Sequence, residues 1–92
     1  MGEKGAEAKN PEPNFSIFVS SLSMQALIFL GEIDNPMTHK KDENIDQAKY
    51  IIDTLAMFKE KTKGNLAANE ADLIDNVLYE LRMKYTAKAG KL

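Results

Sequence analysis

Residues 15–30 read FSIFVSSLSMQALIFL and carry no charged side chain, and eleven of the sixteen are apolar. Asn14, directly before this stretch, is a residue type that commonly caps the N-terminus of a helix. Gly31, directly after it, can adopt the left-handed backbone conformation that ends many helices. The stretch therefore predicts a first helix that begins at Phe15 and ends near Leu30.

This first helix has two apolar faces when its residues are placed at about 100° per step. The broad face holds Phe15, Phe18, Val19, Leu22, Ala26, Phe29 and Leu30, and the opposite face holds Ile17, Met24 and Ile28. Ser16, Ser20 and Ser23 lie along a seam between the two faces, where small side chains let another helix approach closely. A helix that is apolar on two sides is normally covered on both.

We expect this helix not to cross a membrane. Sixteen residues span about 24 Å as a helix, which is shorter than the roughly 30 Å apolar layer of a bilayer. Five polar residues also interrupt the stretch. The preceding residues, 1–14, contain no apolar run, and the sequence on this basis predicts a cytoplasmic protein.

The rest of the chain predicts two more helices. The second follows Asn44, with Gln47 three residues later in the pattern of a capping box, and runs to about Lys63. Gly64 supplies its stop. The third begins between Ala67 and Asn69 and runs to about Thr86. Between the first two helices, residues 32–44 form a polar connection in which Asn35-Pro36 marks a turn.

The predicted domain organisation is simple. Residues 1–14 hold two glycines, two prolines and five charges without apolar periodicity, which predicts a disordered N-terminal tail. Residues 15–86 form a single helical domain, and residues 87–92 form a frayed C-terminus.

Each of the later helices has one main apolar stripe and a smaller second one. The main stripes are Ile45, Ala48, Ile51, Ile52, Leu55 and Phe58 in the second helix, and Leu73, Ile74, Val77, Leu78, Leu81 and Tyr85 in the third. Tyr50 and Met57 stand apart from the first of these stripes, and Tyr79 and Met83 from the second. Three helices can bury their main stripes against each other, but the second face of the first helix is then left without a partner.

Leaving such side chains in water costs about 1.5–3 kcal/mol for each large residue. We therefore expect an all-α protein, in which a helical hairpin and a very hydrophobic first helix form a three-helix protomer that assembles into a homo-oligomeric bundle, a dimer or higher. The predicted surface for self-association or for an unidentified protein partner consists of Ile17, Met24, Ile28, Tyr50, Met57, Tyr79 and Met83. The methionines suit either an adaptable binding surface or the padding of an oligomer interface or a core gap.

Composition argues against most kinds of catalytic and metal site. The 92 residues include no cysteine and one histidine, His39, so a thiolate site or a two-histidine metal site cannot form within one chain. A formal net charge of −2 gives no general attraction for nucleic acid. The acidic connection, with Asp34, Asp42 and Glu43, lacks the spacing of a calcium-binding loop. Residues 61–65 lack the glycine and lysine spacing of a phosphate-binding loop.

We accordingly expect no enzyme and no cofactor. The candidate acid–base carboxylates all lie off the main apolar stripes, where exposed charge is ordinary; they are Asp53, Asp72, Asp75 and Glu80. One route to catalysis stays open, because symmetry in an oligomer could bring Asp53 or Glu80 of two chains together.

Several short motifs resemble a known family. They are Phe15-Ser16-x-Phe18-Val19-x-Ser21-Leu22, Gln25-Ala26, Leu30-Gly31, Asp46-x-Ala48, Ile52-Asp53-x-Leu55, Lys61-Thr62-x-Gly64-Asn65-Leu66 and Leu73 through Tyr85 with Tyr79-Glu80-Leu81-Arg82. Together they resemble the bacterial domain of unknown function 1844 (DUF1844) over Phe15 to Tyr85. One departure is Ala67, where members often carry a capping Thr, Ser or Asp. The resemblance implies a small bacterial helical protein and brings no activity, cofactor or catalytic residue.

The sequence thus favours a non-catalytic interaction or scaffold module that self-associates through its first helix. The alternative is a protein that binds an apolar small molecule or lipid between its helices.

Overall fold

A computed structural model describes residues 14–90, which form three helices in the order α1 (Phe15–Phe29), α2 (Ile45–Lys61) and α3 (Ala68–Ala89). Each helix packs against the other two. Within the described residues the only β-type pairing is an isolated bridge between Asn35 and Lys40. The all-α, three-helix prediction is confirmed. The predicted tail lies outside the described residues except for Asn14, as do the last two residues of the predicted frayed C-terminus.

Asparagine side chains cap the N-termini of the first two helices, as the sequence predicts. Asn14 Oδ1 accepts a hydrogen bond from the Ile17 N–H at 2.8 Å, and Asn44 Oδ1 accepts one from the Gln47 N–H at 3.1 Å. The second half of the expected capping box is replaced, because the Asn44 N–H donates to the Phe29 carbonyl at 2.7 Å. This bond ties the start of α2 to the end of α1.

The third helix begins differently, because Ala67 has no side-chain acceptor to offer as a cap. Glu70 Oε1 instead accepts a hydrogen bond from the Ala67 N–H at 2.9 Å. An acidic side chain in the first turn also suits the positive end of the helix dipole. The helix therefore begins at Ala68, inside the predicted range.

The helix ends differ modestly from the sequence-based expectations. The second helix ends at Lys61 rather than Lys63, and the hydroxyl of its C-cap residue Thr62 donates to the Phe58 carbonyl at 2.6 Å. The third helix continues beyond the expected Thr86 to Ala89. In its last turn, the Lys88 Nζ lies 3.4 Å from the carboxylate of Glu43, an inter-element ion pair that the helix periodicity does not reveal.

Two glycines adopt the left-handed conformation that the sequence assigns to them. Gly31 follows α1 with a φ of 79°, and Gly64 follows α2 with a φ of 85°. A residue with a Cβ is strained at such angles, so glycine is the natural choice where the chain must leave each helix.

The core is assembled from the main stripes of all three helices. Its buried side chains are Val19, Ala26, Leu30, Ala48, Ile51, Ile52, Leu55, Ile74, Leu78 and Leu81, and no polar or charged side chain among residues 14–90 is buried with them. Phe18 departs from the prediction, because 44% of it stays exposed at the edge of the core. Its ring meets that of Phe58 edge to face, with centroids 5.2 Å apart.

The connection between α1 and α2 is a compact turn. Asn35 Oδ1 accepts from the Met37 N–H at 2.8 Å, and the Asn35 carbonyl accepts from the His39 N–H at 2.7 Å. These bonds confirm the predicted turn at Asn35-Pro36 and leave Met37 at its tip, 86% exposed. The connection also contacts α3, since the Lys84 Nζ lies 3.9 Å from Glu32.

Leu55 provides a direct test of this core, because its side chain is fully buried on α2. Leu55→Ala should lower the free energy of unfolding by about 2–5 kcal/mol, since it removes apolar contacts and leaves a cavity. Urea unfolding followed by circular dichroism measures the effect. Met57→Ala on the outer side of the same helix is the matched control, and an equal loss in both variants would contradict this packing.

Candidate functional site

The residues predicted to form an interaction surface lie on the outer sides of the helices. Ile17 and Met24 on α1 are 44% and 53% exposed, and Tyr79 on α3 is 70% exposed. Tyr50, Met57 and Met83 are exposed as well, whereas Ile28 is half-buried. Six of the seven predicted side chains are therefore accessible in the protomer.

A first groove runs along the outer face of α1 and has a volume of about 330 Å³. Its lining is Ser16, Ile17, Ser20, Ser21 and Met24. Ile17 and Met24 lie two helical turns apart on this face, and the two serines between them are too short to fill the space. The groove is therefore apolar at both ends, hydroxyl-lined in between and free of charge.

A second and larger groove, of about 570 Å³, lies along α3 beside α2. It is lined by Lys59, Asp75, Leu78, Tyr79, Arg82, Met83, Thr86 and Ala87. The Lys59 Nζ reaches across from α2 to Asp75 Oδ1 at 2.8 Å, so these two charges neutralise each other. An apolar ligand could lie along Leu78, Tyr79 and Met83, with the guanidinium of Arg82 as the remaining charge in the lining.

A third crevice, of about 300 Å³, separates α1 from α3 and is more polar than the other two. Ser23 lines it together with Glu80 and Lys84. The structure thus divides the serine seam predicted from the sequence. Ser16 and Ser20 line the outer groove of α1, whereas Ser23 faces the neighbouring helix. The Lys84 Nζ in this crevice lies 3.9 Å from Glu32 of the connection.

The candidate carboxylates are exposed, and two of them form ion pairs. Asp53 Oδ2 lies 2.8 Å from the Lys49 Nζ, and this hydrogen bond, with the accompanying charge attraction, raises the pKa of Lys49. Asp75 pairs with Lys59 as described above, while Asp72 and Glu80 are exposed. His39 lies in the connection with a φ of 59°.

The described part of the chain contains neither a metal-binding cluster nor a membrane-crossing helix. Among residues 14–90, no group of three or more His, Cys, Asp or Glu side chains is placed to hold a metal ion. None of α1, α2 and α3 combines the length and the apolar character that a membrane-crossing helix needs.

Comparison with protein families gives a clear match. The model of a domain of unknown function (DUF1844) matches residues 12–87 of this 92-residue chain. The chain belongs to the DUF1844 family. The resemblance stated from the sequence motifs is thereby confirmed. The DUF1844 match covers α1, α2 and all but the last two residues of α3, together with the residues that line the grooves described above. No curated protein and no solved structure matched the chain.

Parts of this DUF1844 surface were not predicted from the sequence. Lys59 and Asp75 both line the groove between α2 and α3, and their contact depends on how the two helices pack against each other rather than on periodicity within either one. The partial exposure of Phe18 does not follow from the sequence, because its helical position also fits the core face. Arg82 lines the groove of about 570 Å³, whereas in the sequence it stands out only as part of the Tyr79-Glu80-Leu81-Arg82 motif.

The larger groove of the DUF1844 chain can be tested for a role outside folding. Tyr79→Ser and Met83→Ser should each change the free energy of unfolding by less than about 0.5 kcal/mol, because both side chains are more than half exposed. Leu78→Ala, at the buried base of the same groove, should cost about 2–5 kcal/mol. Urea titrations of the three variants make the comparison. A loss above about 1 kcal/mol for Tyr79→Ser would assign that residue to the core.

Proposed function

We propose that this chain is a non-catalytic interaction module that acts in the cytoplasm and associates with a second copy of itself through the outer face of α1. The observation that carries the proposal is the accessibility of Ile17 and Met24 on a helix without charged side chains. Contact with a second apolar surface would remove the apolar area of this face from water, which is favourable in free energy.

The absence of charge on α1 also bears on which partner suits it. In a two-fold symmetric contact, the same surface of both copies meets, so a charged residue near the axis would face its own copy. Like charges placed in this way disfavour a complex. Residues 15–30 contain no charged side chain, and this source of repulsion is therefore missing when two α1 helices meet.

The size of α1 sets the expected strength of the association. Fifteen residues form a helix about 22 Å long, which offers less contact than a standard protein–protein interface. Small interfaces are typical of transient complexes. We therefore propose a dimer whose dissociation constant lies in the micromolar range, rather than an obligate assembly.

Met24→Lys tests the proposed surface. The substitution places a charge in the middle of the outer face of α1 and should raise the dissociation constant at least about 100-fold, which corresponds to about 2.7 kcal/mol. Sedimentation equilibrium or size exclusion with light scattering, over a concentration series from about 1 µM to about 1 mM, measures the dissociation constant.

Asn76→Lys is the matched control, because it makes the same change of charge at an exposed position on the outer side of α3. It should leave the dissociation constant of the parent chain within about threefold. The proposal fails if the parent chain keeps a monomer mass over the whole series. It also fails if both lysine variants weaken the dimer equally.

A second candidate function is the binding of an apolar small molecule or lipid, and the groove beside Tyr79 and Met83 favours it. Its volume of about 570 Å³ lies within the roughly 300–1,000 Å³ typical of small-molecule sites. The exposed Tyr50 and Met57 line neither this groove nor the groove of α1. In our proposal they remain surface for a further protein partner.

Native mass spectrometry of freshly purified protein tests the ligand hypothesis. A bound apolar molecule should give a reproducible extra mass in the native spectrum. Met83→Glu should remove that mass by placing a charge in the apolar lining, whereas Met57→Glu, outside the groove, should keep it. A chain that carries no extra mass, or one whose extra mass survives Met83→Glu, would argue against this site.

A further inference from the structure

The outer face of α1 repeats its side chains in a pattern typical of paired helices. Ile17, Ser21, Met24 and Ile28 follow one another at intervals of four, three and four residues. This is the a and d spacing of a coiled coil, in which side chains of one helix fit into holes of the next. The face therefore has the geometry to pack lengthwise against another helix.

Size alternates along this row. Ser21 is small and lines the groove of about 330 Å³, while Met24 is large and 53% exposed. One helix thus carries both a hole, between Ile17 and Met24, and a flexible side chain of a size to enter such a hole. A second copy of the chain presents the same two features.

We infer that two copies of this chain pair through antiparallel α1 helices about a two-fold axis between Ser21 and Met24, with Met24 of each copy seated over Ser21 of the other. The inference rests on the proposed self-association and specifies its geometry. The same register places Ile17 of one copy opposite Ile28 of the other, so each large side chain meets either the hole or another isoleucine.

A parallel, in-register pair fits the same face less well. It would place Ser21 against Ser21, which leaves the hole unfilled, and Met24 against Met24, which crowds two long side chains. Unfilled space and crowding both destabilise an interface. The small and large side chains of α1 complement each other only when the two helices run in opposite directions.

The charges at the helix ends favour the same direction. The first turn of α1 has no acidic residue and its last turn has no basic one, although the Lys41 Nζ of the connection donates to the Gly31 carbonyl, just beyond the helix, at 2.9 Å. The positive N-terminal end of the dipole therefore lacks a compensating charge in its own first turn. In an antiparallel pair the negative C-terminal end of one α1 lies beside the positive N-terminal end of the other. A parallel pair would bring like ends together.

The absence of native cysteine allows a direct test by cross-linking in the full chain. Ile17→Cys, labelled with ¹⁵N, is mixed with unlabelled Ile28→Cys and treated with a short bismaleimide. The proposed register brings the two thiols together while the second Ile17–Ile28 contact of the dimer stays intact. The mixed cross-link, identified by mass, should exceed either self-cross-link at least about tenfold, because equivalent residues lie roughly 16 Å apart along the helix axis.

Asn76→Cys mixed with Ile28→Cys gives the background, because Asn76 is exposed on the outer side of α3. Excess self-cross-linking of Ile17→Cys and of Ile28→Cys would mean parallel helices and would overturn the register while leaving self-association in place. A dimer mass with cross-linking at background would overturn both the register and the use of α1. A monomer mass for the parent chain overturns the proposed function itself.

Exchange of the two central side chains gives an independent readout. Ser21→Met sets two methionines against each other and Met24→Ser leaves two serines face to face, so each should weaken the dimer at least about tenfold. The double variant restores one large and one small residue at each contact and should return to within about threefold of the parent dissociation constant. Additive weakening in the double variant would overturn the register.

Discussion

The packing of one side of α1 into the core determines which side of this helix stays exposed. Val19, Ala26 and Leu30 are fully buried there, and both other helices lie against this helix. A half-turn of α1 about its axis would hide Ile17 and Met24 but would bring these three core side chains into water. The exposure of the outer face therefore follows from the stability of the core, and only a further surface can cover that face.

The connection and the end of α3 restrain α1 against such movement. The Asn44 N–H donates a hydrogen bond to the Phe29 carbonyl. Two lysines of α3 form ion pairs with the connection, Lys84 with Glu32 and Lys88 with Glu43. Exposed ion pairs contribute little energy individually, but several of them around one short connection limit its arrangements. The groove of α1 and the groove between α2 and α3 share no lining residue. A second copy on α1 would therefore leave the lining of the larger groove in place.

Most of the fold could be predicted from the sequence because its signals are local. The asparagine caps, the glycine stops and the apolar stripes depend on residues within a few positions of each other, and the structure contains them. The extension of α3 to Ala89, beyond the predicted Thr86, and the contact of Lys59 with Asp75 depend on residues far apart in the chain. Such features need the relative alignment of the helices, which periodicity within one helix does not provide. The exposure of most candidate side chains could be predicted from the sequence, whereas the two separate grooves that some of them line could not.

The two faces of α1 belong to different equilibria, although they lie on the same helix. The inner face stabilises the protomer at any concentration, since Val19 and Ala26 are buried within one chain. The outer face contributes only when a second surface is present, and its effect on folding then grows with the ratio of concentration to dissociation constant. In the proposed dimer, a weak contact on a helix that already carries the core would let association strengthen the fold without being required for it. Assembly of the proposed dimer would then respond to the abundance of the chain itself.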